Sequence, residues 1–329
     1  MKYNSAFDKF SSFHVLVIGD VMLDAYRIGK VSRISPEAPV PVVLLEEEDN
    51  RIGGAGNVAL NLIALGAKAS VCSIIGDDDA GKTLIQLFEK NTISTKGIKA
   101  SKNRKTTVKT RVIANHQQLL RIDAESTEDL NDGDSRMLLM HITELIHEGV
   151  DAIIFEDYNK GILSENTIGE IISLAKEHHI PTCVDPKKDN FLAYKGVDLF
   201  KPNLKELKEG LNIEFDFNKN EPDFINAVNS LEEILENDIS LITLSENGVF
   251  IKKANTQHFL PAHIRNISDV SGAGDTVISV ACLCLLAELP IEDIAAISNI
   301  AGGMVCEFSG VVSIKKESLL NEIHELLGE

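Results

Sequence analysis

The chain has 329 residues, of which 44% are apolar, so it can bury a sizeable core as one large α/β domain or as a domain with an appendage. Its formal net charge of −18 at pH 7 excludes a broad basic face for a nucleic-acid backbone. The five cysteines follow no CxxC spacing, which favours a reducing cytoplasm without disulfides or a zinc site. We therefore expect a cytoplasmic protein that holds any anionic ligand by a local arrangement.

The apolar runs of the chain do not predict a signal peptide or a membrane span. The first run, HVLVIGDVML (14–23), is interrupted by Asp20 and has no small-residue cleavage site after it, so it is typical of a strand. The longest run stops at Glu288 and Pro290 and is too short to cross a bilayer. We expect no membrane partner.

Strand-like and helix-like segments alternate along the chain. Six short β-branched runs, each bounded by Gly, Asp or Pro, are typical of parallel strands buried on both faces. These runs are 14–20, 68–76, 151–157, 180–186, 197–203 and 239–245. Helical periods lie between them at 57–66, 80–91, 135–149 and 164–179. The pattern predicts a doubly wound α/β core, whose ligands bind beyond the carboxyl ends of the strands.

Two segments, APVPVVLLEEE (38–48) and KTTVKTRVIANHQQLLRID (105–123), break this alternation. Both alternate like strands but lack helical connections. They predict a small separate sheet, which would be a lid over the site or a dimer surface.

One phosphate-binding pattern, GDDDAGKT (76–83), satisfies the P-loop spacing GxxxxGK[ST]. Asp77, Asp78 and Asp79 argue against it, because they put negative charges and acceptors where a phosphate requires donors. The alternative is that these acids cap a helix that opens near Ala80.

A second phosphate-binding pattern is DVSGAGDT (269–276). Gly272, Ala273 and Gly274 can turn their N–H groups toward an anion at the start of a helix expected over 274–289. Asp275 would lie in the first turn and accept a proton from an attacking hydroxyl, so one short element would supply oxyanion stabiliser and base for phosphoryl transfer. The alternative is a tight turn with an acidic first-turn residue.

Three ordered motifs resemble those of the ribokinase-like (PfkB) sugar kinases. DVSGAGDT resembles the carboxy-terminal signature of that family, GGAGNVALNLIALGA (53–67) its amino-terminal signature, and KPNLKE (201–206) its N-x-x-E motif. The resemblance implies a three-layer, doubly wound, mostly parallel sheet with a small β-sheet lid. Residues 1–329 would form one kinase domain, with lid segments at about 20–50 and 102–123.

A finer resemblance is to the kinase module of bacterial heptose 7-phosphate kinase/ADP-heptose synthase. It rests on five segments, namely 19–43, 117–123, DYNKG (157–161), VDPK (184–187) and 243–249. It implies transfer of the ATP γ-phosphate to the anomeric hydroxyl of D-glycero-β-D-manno-heptose 7-phosphate. The product is the 1,7-bisphosphate on the route to ADP-heptose and the lipopolysaccharide inner core.

The bifunctional members of that subfamily carry a second domain with an HxGH motif. None of the nine histidines here lies in HxGH and the chain ends at Glu329. We therefore expect no C-terminal nucleotidyltransferase domain and a separate protein for the adenylyl transfer. The lid further predicts a homodimer.

The resemblance implies four residues that bind sugar hydroxyls. Asp24 is expected at the end of the first strand, and Gly53, Gly54 and Asn57 would bring backbone and an amide against the sugar. The alternatives are that Asp24 caps a turn and that 53–57 is a helix N-cap with its glycine lead-in.

An anionic protein needs a few placed cations to hold a phosphosugar, and Arg33, Lys160 and Lys187 are the candidates for the 7-phosphate. Each could instead be a solvated surface residue.

ATP and Mg²⁺ are the implied cosubstrate and cofactor. Asn203 and Glu206 would orient the water shell of Mg²⁺, unless Glu206 is simply a solvated helix residue. Ser245, Gly248 and Asn299 would lie around the nucleotide, although many relatives have glycine at the position of Ser245.

The resemblance also implies that Asp269 and nearby carbonyls hold a monovalent cation such as K⁺ close to the anion hole.

Three other functions stay open. A PfkB kinase for another sugar is the near alternative, and a P-loop NTPase or a non-catalytic sugar-binding regulator would use the pockets differently. The intact set of Gly272, Gly274 and Asp275 weighs against an idle relative.

Overall fold

The computed structural model describes residues 2–115, 117–217 and 221–328. Its helices are α1 (Lys2–Lys9), α2 (Ala55–Ala64), α3 (Asp79–Lys90), α4 (Asp132–Gly149), α5 (Glu165–Glu177), α6 (Leu204–Leu211), α7 (Glu221–Leu235), α8 (Ala273–Leu286), α9 (Ile291–Val305) and α10 (Lys316–Leu327). Its strands are β1 (His14–Gly19), β2 (Val21–Ile34), β3 (Pro41–Gly54), β4 (Lys68–Gly76), β5 (Ser94–Ser101), β6 (Thr107–Ala114), β7 (Gln117–Ala124), β8 (Ala152–Glu156), β9 (Thr182–Asp185), β10 (Leu199–Phe200), β11 (Ile239–Thr243), β12 (Val249–Lys253) and β13 (Thr256–Leu260).

A nine-stranded sheet has the order β13-β12-β11-β10-β9-β8-β1-β4-β5. Neighbours from β11 to β5 pair in parallel, whereas β12 and β13 add an antiparallel edge. The six predicted strands are β1, β4, β8, β9, β10 and β11, and the doubly wound, mostly parallel sheet is confirmed. The edge strands β5 and β13 mix polar and apolar residues, so no continuous apolar run predicted them.

Alternate residues of the central strands enter two separate cores. In β1, Val15 and Val17 pack on the face covered by α1, α2, α3, α8, α9 and α10. Leu16 and Ile18 pack on the other face, with α4, α5, α6 and α7. Helix α8 is buried on nearly all sides between the sheet and its neighbouring helices, which explains why it is apolar almost all round.

The longest apolar stretch is thus a core helix. Among the described residues, no helix combines the length and the apolar character that crossing a membrane requires. All five cysteines are buried with free thiols.

A smaller four-stranded sheet has the order β3-β2-β6-β7. The outer pairs are antiparallel and the central pair, β2 and β6, is parallel. It combines the two segments that the sequence predicted as a separate sheet with β2, a strand that the sequence analysis did not identify separately. This sheet exposes large apolar side chains, among them Ile34, Leu44, Leu120 and Ile122.

The GDDDAGKT segment forms a helix cap. Asp78 is the N-cap of α3, and its carboxylate accepts hydrogen bonds from Gly81 N at 2.8 Å, Thr106 N at 2.9 Å and Thr106 Oγ1 at 2.7 Å. Lys82 lies exposed and pairs with Asp79. Because protein acceptors already occupy backbone N–H groups of this loop, the P-loop alternative is wrong and the cap alternative describes the segment.

We expect Asp78→Ala to lower the free energy of unfolding by about 1–3 kcal/mol, because it removes the cap and the bonds to Thr106. The neighbouring Asp79 side chain is 99% exposed. Asp79→Ala should therefore change the free energy of unfolding by no more than about 0.5 kcal/mol. Urea unfolding of both variants tests this, and equal effects would contradict the cap.

Candidate active site

Acidic side chains gather where neighbouring parallel strands end. Glu156 is the last residue of β8, Asp185 is the last residue of β9, and the two are direct partners in the register. Lys201 follows β10, the next strand. Side chains two positions apart on a strand point to the same face of the sheet. The residues two positions before these three, namely Ile154, Cys183 and Leu199, pack on the face that α8 covers, so Glu156, Asp185 and Lys201 are on that face too. The sequence analysis missed Glu156, Asp185 and Lys201, although each lies in or beside a motif quoted above.

Two lysines balance part of this negative charge. Lys201 Nζ lies 2.8 Å from Asp185 Oδ2, and both side chains are buried. Lys187 Nζ lies 2.5 Å from Glu206 Oε1 and 3.9 Å from Asp185 Oδ1. Burial by itself lowers the pKa of both lysines, but the nearby carboxylates outweigh it and raise both values. Both side chains are therefore cations at neutral pH.

The first turn of α8 meets these strand ends. The helix begins at Ala273 and ends at Leu286, slightly earlier at both ends than the predicted 274–289. Gly272, its N-cap, has a φ of +80°, a conformation that favours glycine. A Cβ added at Gly274 would lie 3.3 Å from Asp185 Oδ2, so the helix start approaches Asp185 closely. The N–H groups of a first turn have no acceptor inside the helix, and together with the helix dipole they attract anions.

Two side chains orient the Asp275 carboxylate. Tyr158 OH donates to Oδ1 at 2.9 Å and Asn57 Nδ2 donates to Oδ2 at 2.6 Å. Burial raises the pKa of Asp275 above its ordinary value, and Asp185 adds to the rise, while the two hydrogen bonds and Lys201 oppose it. A fixed carboxylate with a raised pKa is suited to accept a proton.

Asp20 holds the loop that carries Tyr158. Its carboxylate accepts from the backbone N–H groups of Tyr158 at 2.8 Å, Lys160 at 3.1 Å and Ile162 at 3.3 Å. Burial, with the charge of Asp157, raises the pKa of Asp20 to about 6. Within the DYNKG motif the sequence analysis predicted a role only for Lys160, so it missed Tyr158. It also missed Asp20, which it described only as an interruption of the first apolar run.

The predicted sugar-binding residues lie where the two sheets meet. Asp24 is in β2 and accepts from Arg111 of β6 at 2.5 Å, so its expected position at the end of the first strand was wrong. A Cβ at Gly53 would lie 2.5 Å from Asp24 Oδ2, which places the two side by side. Gly54 is the N-cap of α2. Asn57 lies inside that helix and therefore does not cap it.

The three predicted phosphate-binding cations have different surroundings. Lys160 pairs with Glu125 at 2.9 Å, and Lys187 lies beside Glu206. Arg33 is exposed near the outer end of β2. The assignment of Arg33, Lys160 and Lys187 to the 7-phosphate stays a prediction.

Two other cations do lie together. Arg51 and Arg111 lie over the Tyr26 ring, with 4.8 and 5.4 Å from guanidinium carbon to ring centroid. Arg111 also bonds Asp24, so this pair faces the junction of the sheets. Arg51 is in β3 and Arg111 is in β6, both in the smaller sheet, and no sequence motif distinguished them from solvated residues.

Asn203 and Glu206 form a capping box at the start of α6. Asn203 Oδ1 accepts from Glu206 N, and Glu206 Oε2 accepts from Asn203 N, both at 2.8 Å. Glu206 is only 8% exposed and also bonds Lys187, so the solvated-residue alternative is wrong. A carboxylate accepts at about four positions, which leaves room for metal-bound water.

The predicted nucleotide-binding residues lie near the antiparallel edge of the larger sheet. Ser245 has a φ of +53°, the left-handed conformation that glycine adopts freely. Gly248 has a φ of +91°, and a Cβ there would lie 2.0 Å from Leu260 O, so packing alone requires this glycine. Asn299 Nδ2 donates to Pro261 O at 2.8 Å. Contacts with Leu260 and Pro261 thus bring Gly248 and Asn299 together.

Asp269 ties two loops beside the start of α8. Its carboxylate accepts from Ser271 N at 2.9 Å and from Gly310 N at 3.0 Å. Burial opposes these bonds, yet they lower the pKa of Asp269 below its ordinary value, so the group is anionic at neutral pH.

Comparison with known proteins identifies the family. Residues 12–317 match the pfkB family carbohydrate kinases. The chain belongs to this family. This pfkB-family kinase is 40% identical over 312 residues to "Bifunctional protein HldE" of Aliarcobacter butzleri, with 95% of this chain and 64% of that protein covered. It is 39% identical over 314 residues to the HldE of Helicobacter pylori, with 94% and 67% covered. The kinase thus spans about two thirds of the length of these relatives.

Solved structures share its fold. Phosphofructokinase-2 from Escherichia coli, in complex with potassium, has a TM-score of 0.77 at 20% identity and covers 96% of this chain and 99% of its own. Ribokinase from Arabidopsis thaliana, complexed with ribose and ATP, has a TM-score of 0.72 at 14% identity, with 94% and 98% covered. The ribokinase-like fold, the PfkB resemblance and the carbohydrate kinase class are confirmed. Kinases of this family use ATP and a divalent metal ion.

We expect Tyr158→Phe to shift the acid limb of kcat/KM for the sugar upward by about one pH unit. The lost hydrogen bond stabilises the ionised Asp275, so its pKa rises further and more of the base is protonated at low pH. A pH series of initial rates measures the limb.

Tyr194→Phe is the matched control, because Tyr194 is also buried but donates to Asp157. An unmoved limb in Tyr158→Phe, or equal shifts in both variants, would contradict the role of Tyr158.

Proposed function

We propose that this kinase phosphorylates the anomeric hydroxyl of D-glycero-β-D-manno-heptose 7-phosphate, a step toward ADP-heptose and the lipopolysaccharide inner core. The observation that carries the proposal is 37–40% identity to HldE proteins over 94–97% of the chain. The DYNKG and VDPK segments, which resemble that subfamily, surround Asp275, since Tyr158 bonds it and Asp185 lies beside it. A residue from each of these two segments therefore lies next to the proposed base.

In this proposal Asp275 takes the proton of the anomeric hydroxyl as the bond to phosphorus forms. Its orientation is set from two sides by Tyr158 and Asn57, and burial makes it a stronger base than an exposed aspartate. The N–H groups of Gly272 and Gly274 would stabilise negative charge on the transferring phosphoryl group, whereas the N–H of Ala273 already donates to Val270 O at 3.3 Å. Lys201, fixed by Asp185, adds a buried positive charge close to Gly274.

The donor groups of the pocket fit Mg²⁺, because a hard cation prefers carboxylate and amide oxygens and water. Glu206 and Asn203 would hold it through its water shell, as the capping box keeps both side chains in place. The cation would neutralise the charge of the ATP phosphates. Ser245, Gly248 and Asn299 are the proposed nucleotide contacts, and Asp269 the proposed site for K⁺.

The chain would act as one kinase unit whose smaller sheet is the lid. Asp24, Gly53 and Gly54 would contact the sugar at the junction of the sheets. For the sugar phosphate we retain Lys160 and add Arg51 and Arg111, which lie beside Asp24. Lys187 lies among the acids near Asp275 instead, and it suits the transferred phosphate better than the distant one.

We also propose a homodimer formed through the lid. The exposed fractions of Ile34, Leu45 and Leu120 are 60%, 46% and 55%. The strand register puts these three side chains on one face of the smaller sheet, and exposed apolar side chains on one sheet face are typical of an interface. The names of the relatives describe bifunctional proteins, so they lend no support to the predicted separate nucleotidyltransferase.

We expect the protein, with ATP and Mg²⁺, to add an anomeric phosphate to heptose 7-phosphate alone among sugar 7-, 6- and 5-phosphates and free sugars. ³¹P NMR of the products gives the position of the new phosphate. Transfer to a different sugar would replace the substrate but keep the mechanism, which is the alternative that the family allows. ATP hydrolysis without any acceptor would contradict the kinase proposal.

We expect Asp275→Ala to lower kcat by at least about 10²–10⁴-fold, because it removes the base. The kcat of Lys82→Ala should stay within about twofold of the wild-type value, since Lys82 is exposed and pairs with Asp79 instead of binding a phosphate. The opposite ranking in steady-state assays would show that the site is assigned to the wrong segment.

We expect wild type to sediment in analytical ultracentrifugation at about twice its chain mass of 36.0 kDa. Leu45→Glu combined with Leu120→Glu should give monomers, because both put a charge into the same exposed face of the smaller sheet. Met140→Glu, on the exposed part of α4, is the control and should remain dimeric. A monomeric wild type, or a dimeric lid variant, would contradict the lid interface.

A further inference from the structure

Glu156 has no role in the mechanism above, yet it is completely buried beside it. Both oxygens of its carboxylate are buried without a hydrogen-bond partner in the part of the chain that the structure describes. Burying a carboxylate without partners is costly, so a side chain of this kind indicates that something else binds it. Burial also raises the pKa of Glu156 well above its ordinary value.

Two further carboxylates converge with Glu156. One oxygen each of Glu156, Asp185 and Asp275 lies within 4.8 Å of the others. Glu156 and Asp185 are adjacent because β8 and β9 pair in register, and Asp275 is brought opposite them by the first turn of α8. Divalent cations bind oxygens at about 2.0–2.6 Å, so one ion can span this spacing.

The three carboxylates differ in how much of their acceptor capacity is used. Both oxygens of Asp275 already accept short hydrogen bonds. Asp185 Oδ2 receives Lys201 at 2.8 Å, whereas Oδ1 lies 3.9 Å from Lys187 Nζ. Glu156 and Asp185 Oδ1 therefore have the most capacity for a metal ion.

The local charge favours the same ligand. Around the described pocket, Glu156, Asp185, Asp275 and Glu206 face only Lys187 and Lys201 as close cations. When all six groups are ionised, two negative charges remain, which one divalent cation would neutralise.

We propose that Glu156 and Asp185 bind a divalent cation directly, with Asp275 reached through water, and that they do so before nucleotide arrives. The ammonium of Lys187 separates this site from Glu206, so the ion is additional to the one that accompanies ATP. An all-oxygen donor set selects Mg²⁺ or Mn²⁺ over softer metals. Only the catalytic role of the ion rests on the proposed function, in which the phosphoryl group is transferred at the α8 N-terminus that the ion would face.

The first measurement is a titration of the full chain with Mn²⁺, without nucleotide or sugar, in which EPR quantifies the free ion. We expect one tight site in wild type and binding weaker by at least about tenfold in Glu156→Gln, an isosteric change that removes one charged ligand. Glu177→Gln, an exposed change at the end of α5, controls for the lost surface charge and should bind like wild type.

The second measurement is thermal unfolding of the same three proteins with and without Mn²⁺. A ligand that binds only the folded state raises Tm, so wild type and Glu177→Gln should respond and Glu156→Gln should not. In metal-free buffer Glu156→Gln should be at least as stable as wild type, because it removes an unpaired buried acid. A folded variant that ignores Mn²⁺ then isolates the ligand role from a structural one.

Either of two results would overturn the inference. One is a wild type that binds Mn²⁺ only when nucleotide is present. The other is a Glu156→Gln variant that binds Mn²⁺ as tightly as wild type, in which case Glu156 holds a proton and not a metal. Tight nucleotide-free binding in a protein that phosphorylates no sugar would instead leave this site standing and remove the proposed function.

Discussion

The Asp275 carboxylate is the point on which the arrangement of the candidate site depends. It is held by Tyr158 from the loop after β8 and by Asn57 from α2, two segments about 100 residues apart in the chain. The bond from Asn57 requires α2 and α8 to pack side by side. The bond from Tyr158 requires the loop after β8 to reach the start of α8. Because the carboxylate is buried, losing either partner would leave it both misoriented and harder to ionise.

The same constraint explains the unusual electrostatics of the pocket. Parallel pairing aligns the ends of β8, β9 and β10. The side chains at those ends are therefore close to one another, whether their charges attract or repel. Asp185 and Lys201 form an attractive neighbouring pair, whereas Glu156 and Asp185 form a repulsive one. The repulsive pair lies next to the proposed chemistry, and carboxylates whose pKa values are shifted by such neighbours are typical of functional sites.

The glycines of the DVSGAGDT signature have two different physical reasons. Gly272 has a backbone conformation that side chains disfavour, while Gly274 lets the start of α8 approach Asp185. Gly248 shows how a glycine can resemble a ligand contact for another reason, since Leu260 O occupies the place where its side chain would be. A glycine in a motif thus acquires a specific meaning only when its neighbours in space are known.

By itself, the amino-acid sequence determined the layered fold, because the six buried strands and their intervening helices have the hydrophobic periods that parallel pairing requires. It also identified the start of α8 and Asp275, since glycines and an acid directly before a fully apolar helix are typical of a turn whose N–H groups face an anion. Only the tertiary structure brought Glu156, Asp185 and Lys201 together and gave Lys160 and Lys187 different carboxylate partners. Spacing along the chain reports neighbours within one helix or strand, whereas adjacency between strands follows from their order in the sheet, which no local pattern encodes.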